Sequence, residues 1–447
     1  MKDSFRKIGA SICAPHGFKA AAVFCDIKKL GTGKGSEKGR KDDLALIVSE
    51  VPAAVAGMFT TNQVCAAPVK ASRKRTAKKS ARAIVVNSGN ANACTGKQGL
   101  EDAEAMTSIA AAAVAAVCDR RRGKDSALTE RRYSRISAQD ILVCSTGRIG
   151  VPMPMNNIAR GIRACVPLLD RSATAARDVA EAIMTTDTRR KEIAVEFKAG
   201  GQAVRIGGIC KGAGMIQPLM NHATMLAFIT TDAAVESSVL KRALQVAVSQ
   251  SFNRITVDGD MSTNDSIIML ANGLAGNSRS AIRRSPFQEA LNFICLALAK
   301  MIVRDGEGTS RFVTVRVRGA RNQRDAESAA RSVANSSLVR TSWCGGDPNW
   351  GRILCALGYS NAAVEESRVD IGYSVPDSRH ILFAFRRGRP TNVVLKALAA
   401  ITSAPEFDLH VDLHLGRAEF TMYAADLTED YVALNKGDVN DPTTLGG

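Results

Sequence analysis

Aromatic side chains are scarce in this sequence: two Trp, five Tyr and fourteen Phe make up 5% of 447 residues. A surface for single-stranded nucleic acid stacks bases on aromatics interleaved with basic groups, and no such interleaving occurs here. Lys and Arg do outnumber Asp and Glu, 60 to 43, for a net charge of +17. The excess falls in short runs, Arg73 to Lys79, Arg120 to Lys124 and Arg131 with Arg132, of the kind usually solvated on a surface. A basic nucleic-acid-binding protein is therefore the remote reading, and no nucleic acid is expected as a partner. Long apolar runs are also missing. The least polar stretch, Ile109 to Cys118, is mostly alanine and falls far short of the roughly 20 residues of a membrane-spanning helix. The opening MKDSFRKIGASIC lacks the apolar core and small-residue cleavage signal of a secretory leader. The expectation is a cytoplasmic protein with no membrane partner. Eleven cysteines contain no CxxC pair, so neither a disulfide framework nor a thiolate zinc site is indicated. They read as reduced core residues, Cys144, Cys210 and Cys344 included. His410, Asp412 and His414 share one face of a probable strand, but with no further ligand they read as a solvated face, and no metal is expected.

Alternating apolar and turn-forming residues predict mixed α/β structure. AAAVFCDI (20–27) and LALIVSEV (44–51) read as strands, and the polar, glycine-rich Leu30–Asp43 between them reads as a flexible insertion. Its spacing does not fit a phosphate loop. Leu100–Asp119 is the strongest helix, rich in alanine with acidic residues at its start. Beyond Lys191, EIAVEFKAGGQAVRIGGICKGAG (192–214) reads as a hairpin around Gly200-Gly201. LAFITTD (226–232) reads as a buried strand, and helices are expected over 237–252 and 288–303.

Polar clusters interrupt these apolar segments at Ser145-Thr146-Gly147, Thr185 to Thr188, Lys211 to Gly214, Thr224, Asn253 to Asp265, Asp305 to Gly308 and Asp347 to Arg352. Turn positions at strand ends are where sites are usually built. Each cluster alone has an ordinary explanation as a turn.

Taken in order they become specific. DLALI (43–47), MFTTNQVCAAPV (58–69), VVNSGNANACTG (85–96), CSTGRIG (144–150), KGAGMI (211–216), ATMLAFITTDA (223–233), SFNRITVDGD (251–260) with STNDS, DGEG (305–308), DPNWGRIL (347–354) and DLTEDYV (426–432) span nearly the whole chain. This series resembles the signature segments of the ornithine acetyltransferase family, the bifunctional glutamate N-acetyltransferases of arginine biosynthesis. The resemblance implies an α/β/β/α layered sandwich with two sheets face to face. It also implies self-cleavage between Ala223 and Thr224, giving an α chain, 1–223, and a β chain, 224–447, that assemble as a heterotetramer. A threonine hydroxyl is a weak nucleophile, and its own α-amino group, with a pKa of about 7.7 to 8.0, can act as its base only after the cut. Thr224 is thus the implied nucleophile, transferring acetyl from N-acetylornithine to glutamate by a ping-pong route.

By the same resemblance Thr146 and Gly147 form the oxyanion hole. Thr185, Lys211, Glu307 and Asn435 bind substrate, with Thr186 as an adjacent alternative to Thr185. No cofactor is expected, and acetyl-CoA as an alternative acetyl substrate is left open. A self-processing aminopeptidase or amidohydrolase that uses water as acceptor is the alternative enzyme. The chain departs from the family pattern in three places. Pro218 is followed by LMNH, two residues longer than usual before the cut; DGEGTSR replaces DGEGATK; and Asn440 stands where a Ser or Thr is usual, retaining hydrogen-bonding capacity at a substrate-binding position.

Overall fold

A computed structural model describes residues 4–28, 41–120, 136–217 and 225–436, with side chains 117–120 left undescribed. Most of the Leu30–Asp43 insertion and the basic runs beyond Asp119 lie outside the described residues, as do Ala223, Thr224 and Asn440.

Among the described residues, nine strands form the first sheet: β1 (Arg6–Ile8), β2 (Phe18–Val23), β3 (Leu44–Phe59), β4 (Ser80–Asn90), β5 (Ile141–Arg148), β6 (Lys191–Ala199), β7 (Gln202–Lys211), β8 (Leu226–Thr231) and, after a short β9 (Ile255–Thr256) that joins the second sheet, β10 (Ser266–Ala271). Their order is β1-β6-β7-β8-β10-β3-β4-β5, with β2 also on β3. The sandwich arises because β3 serves both halves. Its first part, Leu44 to Val48, pairs with β2 and β4, and its second part, Ala54 to Phe59, pairs with β10. Between them the register shifts and Pro52 interrupts the ladder, which is where a proline is tolerated in a sheet. The sheet doubles over at this point.

Side-chain alternation then defines the layers. Ala45, Ile47, Ile84, Val86, Leu142 and Cys144 face Leu226, Phe228, Ile268 and Leu270 across a shared interior. The opposite faces are covered by helices. Beneath β3, β4 and β5 lie α1 (Ala67–Thr76), α2 (Gly96–Arg120) and α3 (Met155–Cys165). α4 (Ala173–Ala182) seals β2 and the edge of the interior. Over β6, β7, β8 and β10 lie α5 (Ser237–Ser249) and α6 (Phe287–Arg304). This is the expected α/β/β/α sandwich, with one continuous sheet in place of two separate ones.

The second sheet has its own core. It contains β11 (Phe312–Ala320), β12 (Asp370–Ser374), β13 (Leu382–Arg386), β14 (Arg389–Pro390), β15 (Glu406–Asp412) and β16 (Ala418–Ala425), in the order β14-β13-β12-β15-β11-β16-β9. α7 (Gln323–Asn335), α8 (Ser337–Cys344) and α9 (Trp350–Gly358) pack on it, with Trp343 and Tyr373 fully buried. Trp350 stacks on Phe385 at 4.8 Å, as a packing anchor does. His410 meets the Ser374 hydroxyl, whereas His414, past the strand end at φ 49°, meets Asp370. His410 and Asp412 alternate with the buried Leu409 and Val411, so both stand on the face of β15 away from that core, and the His414 Nδ1 lies 3.5 Å from Asp412.

Most of the expected elements are present, with adjusted boundaries. α2 starts at Gly96, so no acid occupies its first turn. The β6–β7 hairpin turns at Gly200 and Gly201, both at positive φ. In the Arg73–Lys79 run, Arg75 is buried and ion-paired with Glu104 at 2.5 Å, contrary to the solvated reading, and its guanidinium also donates to the Thr107 hydroxyl at 2.9 Å.

Candidate active site

The two layers open on a cavity of about 230 Å³ where the C-terminal ends of the parallel strands β4 and β5 meet the end of β7 and the start of β8. Thr146, Gly147, Arg148, Thr185, Thr186, Lys211, Gly214, Met225, Leu226 and Asn264 are among the residues that line it. Thr146 and Gly147 do not sit in a turn, as their composition suggested, but continue β5 alongside β4. The pairing survives because Gly89 and Gly147 stand opposite each other at φ 99° and 130°. A Cβ at Gly147 would lie 2.3 Å from the Gly89 carbonyl carbon. Asn264 fixes this strand from the side: its amide donates to the carbonyls of Ala91, at 2.6 Å, and Ser145, at 2.9 Å.

Behind the cavity lies a buried ion cluster. Asp187 accepts from the Gly212 N–H at 2.6 Å, the Lys191 ammonium at 2.7 Å and the Thr185 N–H at 3.1 Å. Burial opposes its charge, but the Lys211 and Lys191 ammoniums and the Gly212 N–H outweigh that and hold the carboxyl down at about 2. Lys191 also reaches Asp305 at 2.5 Å. Lys211 is buried at the cavity wall, and burial, assisted by the charge of Lys191 against the opposing pull of Asp187, lowers its pKa. Lys28, pinned to the carbonyl of Asp42 at 2.8 Å, is lowered to about 8 by burial.

Glu307 is brought close by its loop, whose N–H donates to the Ala213 carbonyl at 2.9 Å. Its carboxylate accepts from the Asn435 amide at 2.8 Å and lies against Gly214, where a Cβ would sit 2.5 Å from it. Helix α10 (Glu429–Leu434) docks on the same loop through a bond from Thr428 to the Gly308 carbonyl at 2.7 Å.

Thr146, Gly147, Thr185 and Lys211 therefore share one cavity, with the alternative Thr186 beside them, while Glu307 and Asn435 form a pair across Gly214. Met225 and Leu226, which follow the expected cut, line the same space. Sequence reasoning missed Lys28, Asp187, Lys191 and Asn264 as residues of the site. Asp187 and Asn264 stood inside the TTDT and STNDS clusters, which were the available signal; Lys28 and Lys191 gave none. Cys144 and Cys210 are buried in the core, where burial raises both thiols, Cys144 to about 12, so neither is poised as a nucleophile. Cys344, only partly buried, is also raised by burial. Among the described residues, no helix is long and apolar enough to cross a membrane.

The pattern that defines the ArgJ family matches residues 20–437. The arginine biosynthesis bifunctional protein ArgJ of Symbiobacterium thermophilum is 45% identical over 432 residues, covering 96% of this chain and 98% of that protein. Glutamate N-acetyltransferase of Methanocaldococcus jannaschii is 42% identical over 435 residues, with the same shares of the two chains. Among solved structures, the arginine biosynthesis bifunctional protein ArgJ of Bacillus halodurans is 38% identical over 47% of this chain and 99% of that one, with a TM-score of 0.44.

Proposed function

Since the chain belongs to the ArgJ family, we propose that it is an acyltransferase of arginine biosynthesis that moves acetyl from N-acetylornithine to glutamate through Thr224, freed by a cut after Ala223. The observation that carries this reading is the convergence of Thr146, Gly147, Thr185 and Lys211 on one cavity also lined by Met225 and Leu226.

The chemistry follows from those groups. The Thr224 hydroxyl attacks the acetyl carbonyl while its free α-amine takes the proton. Negative charge grows on the former carbonyl oxygen, and the Thr146 hydroxyl and Gly147 N–H are its donors. The amide C–N bond breaks, ornithine leaves as its protonated amine, and acetyl remains as an ester on Thr224. The glutamate amine then attacks that ester, the C–O bond breaks, and the threonine oxygen recovers its proton. The transfer is redox-neutral, and each bond formed is matched by one broken among Thr224, the acetyl group and the two amines. Acetyl-CoA, a thioester, is chemically competent to acylate the same hydroxyl. Lys211 and Thr185 serve the substrate carboxylate, and Glu307 with Asn435 serves the ornithine ammonium. Residues 1–223 and 224–447 are the two chains of a cytoplasmic heterotetramer.

Denaturing electrophoresis tests the cut. Two bands that sum to 47.5 kDa, one of them with Thr224 as its N-terminal residue, are expected, and Thr224→Ala should remain one inactive chain. A single uncut chain with full transferase activity refutes the mechanism. Release of free acetate from N-acetylornithine in the presence of saturating glutamate identifies a hydrolase instead.

A further inference from the structure

Three segments bear the substrate-binding residues of this reading: Thr185 before β6, Lys211 at the end of β7, and Glu307 after α6. One buried side chain meets the supports of all three. Lys191, 1% exposed at its side chain, opens β6 opposite Cys210 of β7. Its ammonium reaches Asp187 at 2.7 Å and Asp305 at 2.5 Å. Asp187 in turn holds the N–H groups of Thr185 and Gly212, the residue after Lys211. Asp305, two residues before Glu307, accepts from the N–H groups of Thr188 and Arg189 and from the Thr188 hydroxyl. Lys191 does not line the cavity, so it touches no reacting atom.

We propose that Lys191 is a positioning residue, a buried cross-brace that sets the mutual spacing of Thr185, Lys211 and Glu307. The inference rests on the reading of those three as substrate-binding residues. A cation is suited to this place because two carboxylates converge on it; removing it leaves Asp305 buried without this ion pair and Asp187 with Lys211 as its remaining opposite charge. The brace also acts on Lys211 electrostatically. Lys211 is faced by Asp187, Glu307 and Asp265, which favour its charged form, and by Lys191, which disfavours it. Loss of the Lys191 charge therefore raises the pKa of Lys211.

The test uses the full, cut enzyme and three variants, with KM, kcat and thermal unfolding measured across pH. In Lys191→Met, kcat/KM should fall by about 10- to 100-fold, the range expected when site groups shift by about 1 Å, mainly through KM. The alkaline limb of its pH profile should move to higher pH, which a merely structural role does not produce. Asp305→Asn keeps the shape and one accepting oxygen but slackens the tie to the Glu307 loop. It should also raise KM, with the alkaline limb in place. Should Lys191→Met fail to fold, Asp305→Asn carries the test by itself, and a folded Asp305→Asn enzyme with wild-type KM overturns the proposal. Lys211→Met separates the two readings. If it leaves KM unchanged, the substrate-binding assignment fails; if it raises KM while folded Lys191→Met and Asp305→Asn enzymes keep the wild-type value and limb, the positioning role fails.

Discussion

Replacing Gly147 by alanine examines the oxyanion assignment and the strand geometry at once. Gly147 adopts φ 130°, a region essentially reserved for glycine, and forcing a side chain into it costs about 1–3 kcal/mol. The new Cβ would stand 2.3 Å from the Gly89 carbonyl carbon and 2.5 Å from the Asn90 nitrogen. Non-bonded carbons rest at roughly 3.5–4.0 Å, so β4 and β5 must part locally by more than 1 Å, at an overpacking cost of about 1–3 kcal/mol. The total of about 2–6 kcal/mol is large beside a typical net stability of 5–15 kcal/mol, and a clear drop in unfolding temperature is expected. Movement of the Gly147 N–H removes one donor to the developing oxyanion, worth about 10²- to 10³-fold in kcat. The assay is acetyl transfer from N-acetylornithine to glutamate, normalised to the folded, cut fraction. Thr146→Val is the companion, because it exchanges the hydroxyl for a methyl of similar size and should lose rate without a comparable loss of stability. A Gly147→Ala enzyme with wild-type kcat per cut molecule would show that the N–H of this residue does not serve the reaction.

Two further outcomes follow from the site. Gly214→Ala places a Cβ 2.5 Å from the Glu307 carboxylate, which must swing aside and give up its 2.8 Å bond from Asn435; kcat/KM should fall about 10- to 100-fold while the unfolding temperature changes little, and an unchanged KM for N-acetylornithine counts against a substrate role for Glu307. The Asp187 carboxyl, at about 2 when folded against roughly 3.9 in an unfolded chain, adds stability that is fully present above about pH 4 and disappears as pH falls through 2. Acid titration followed by circular dichroism should show that steep loss, and Asp187→Asn should be less stable at neutral pH yet shallower in this window; parallel curves for the two proteins would contradict it.

How much was legible in advance differs from element to element. α2 was readable because its alanines and its buried positions, Ala103, Met106, Ala110 and Val114, repeat at helical spacing. The β6–β7 hairpin was readable because a Gly-Gly pair between alternating strands has few other uses. The extension of β5 through Thr146 and Gly147 was not. Serine, threonine and glycine favour turns when read alone, and the strand continues only because β4 supplies a second glycine opposite.

The sequence by itself determined the chemistry available: which loops carry hydroxyls, amines and carboxylates, and, through motifs spread over nearly the whole chain, the family to which they belong. Tertiary structure alone decided which of those groups meet. Lys191 and Asp305 are 114 residues apart, and Asn264 and Ser145 are 119 apart; no local pattern encodes such pairings. They exist because β3 bends at Pro52 and doubles the sheet, so that burial in the shared interior, at about 1.5–3 kcal/mol for each large apolar side chain, brings the ends of β5, β7 and β8 together. A buried charge is tolerable only where that packing delivers an opposite one, which is why Lys191 carried no signal until the fold placed two aspartates around it.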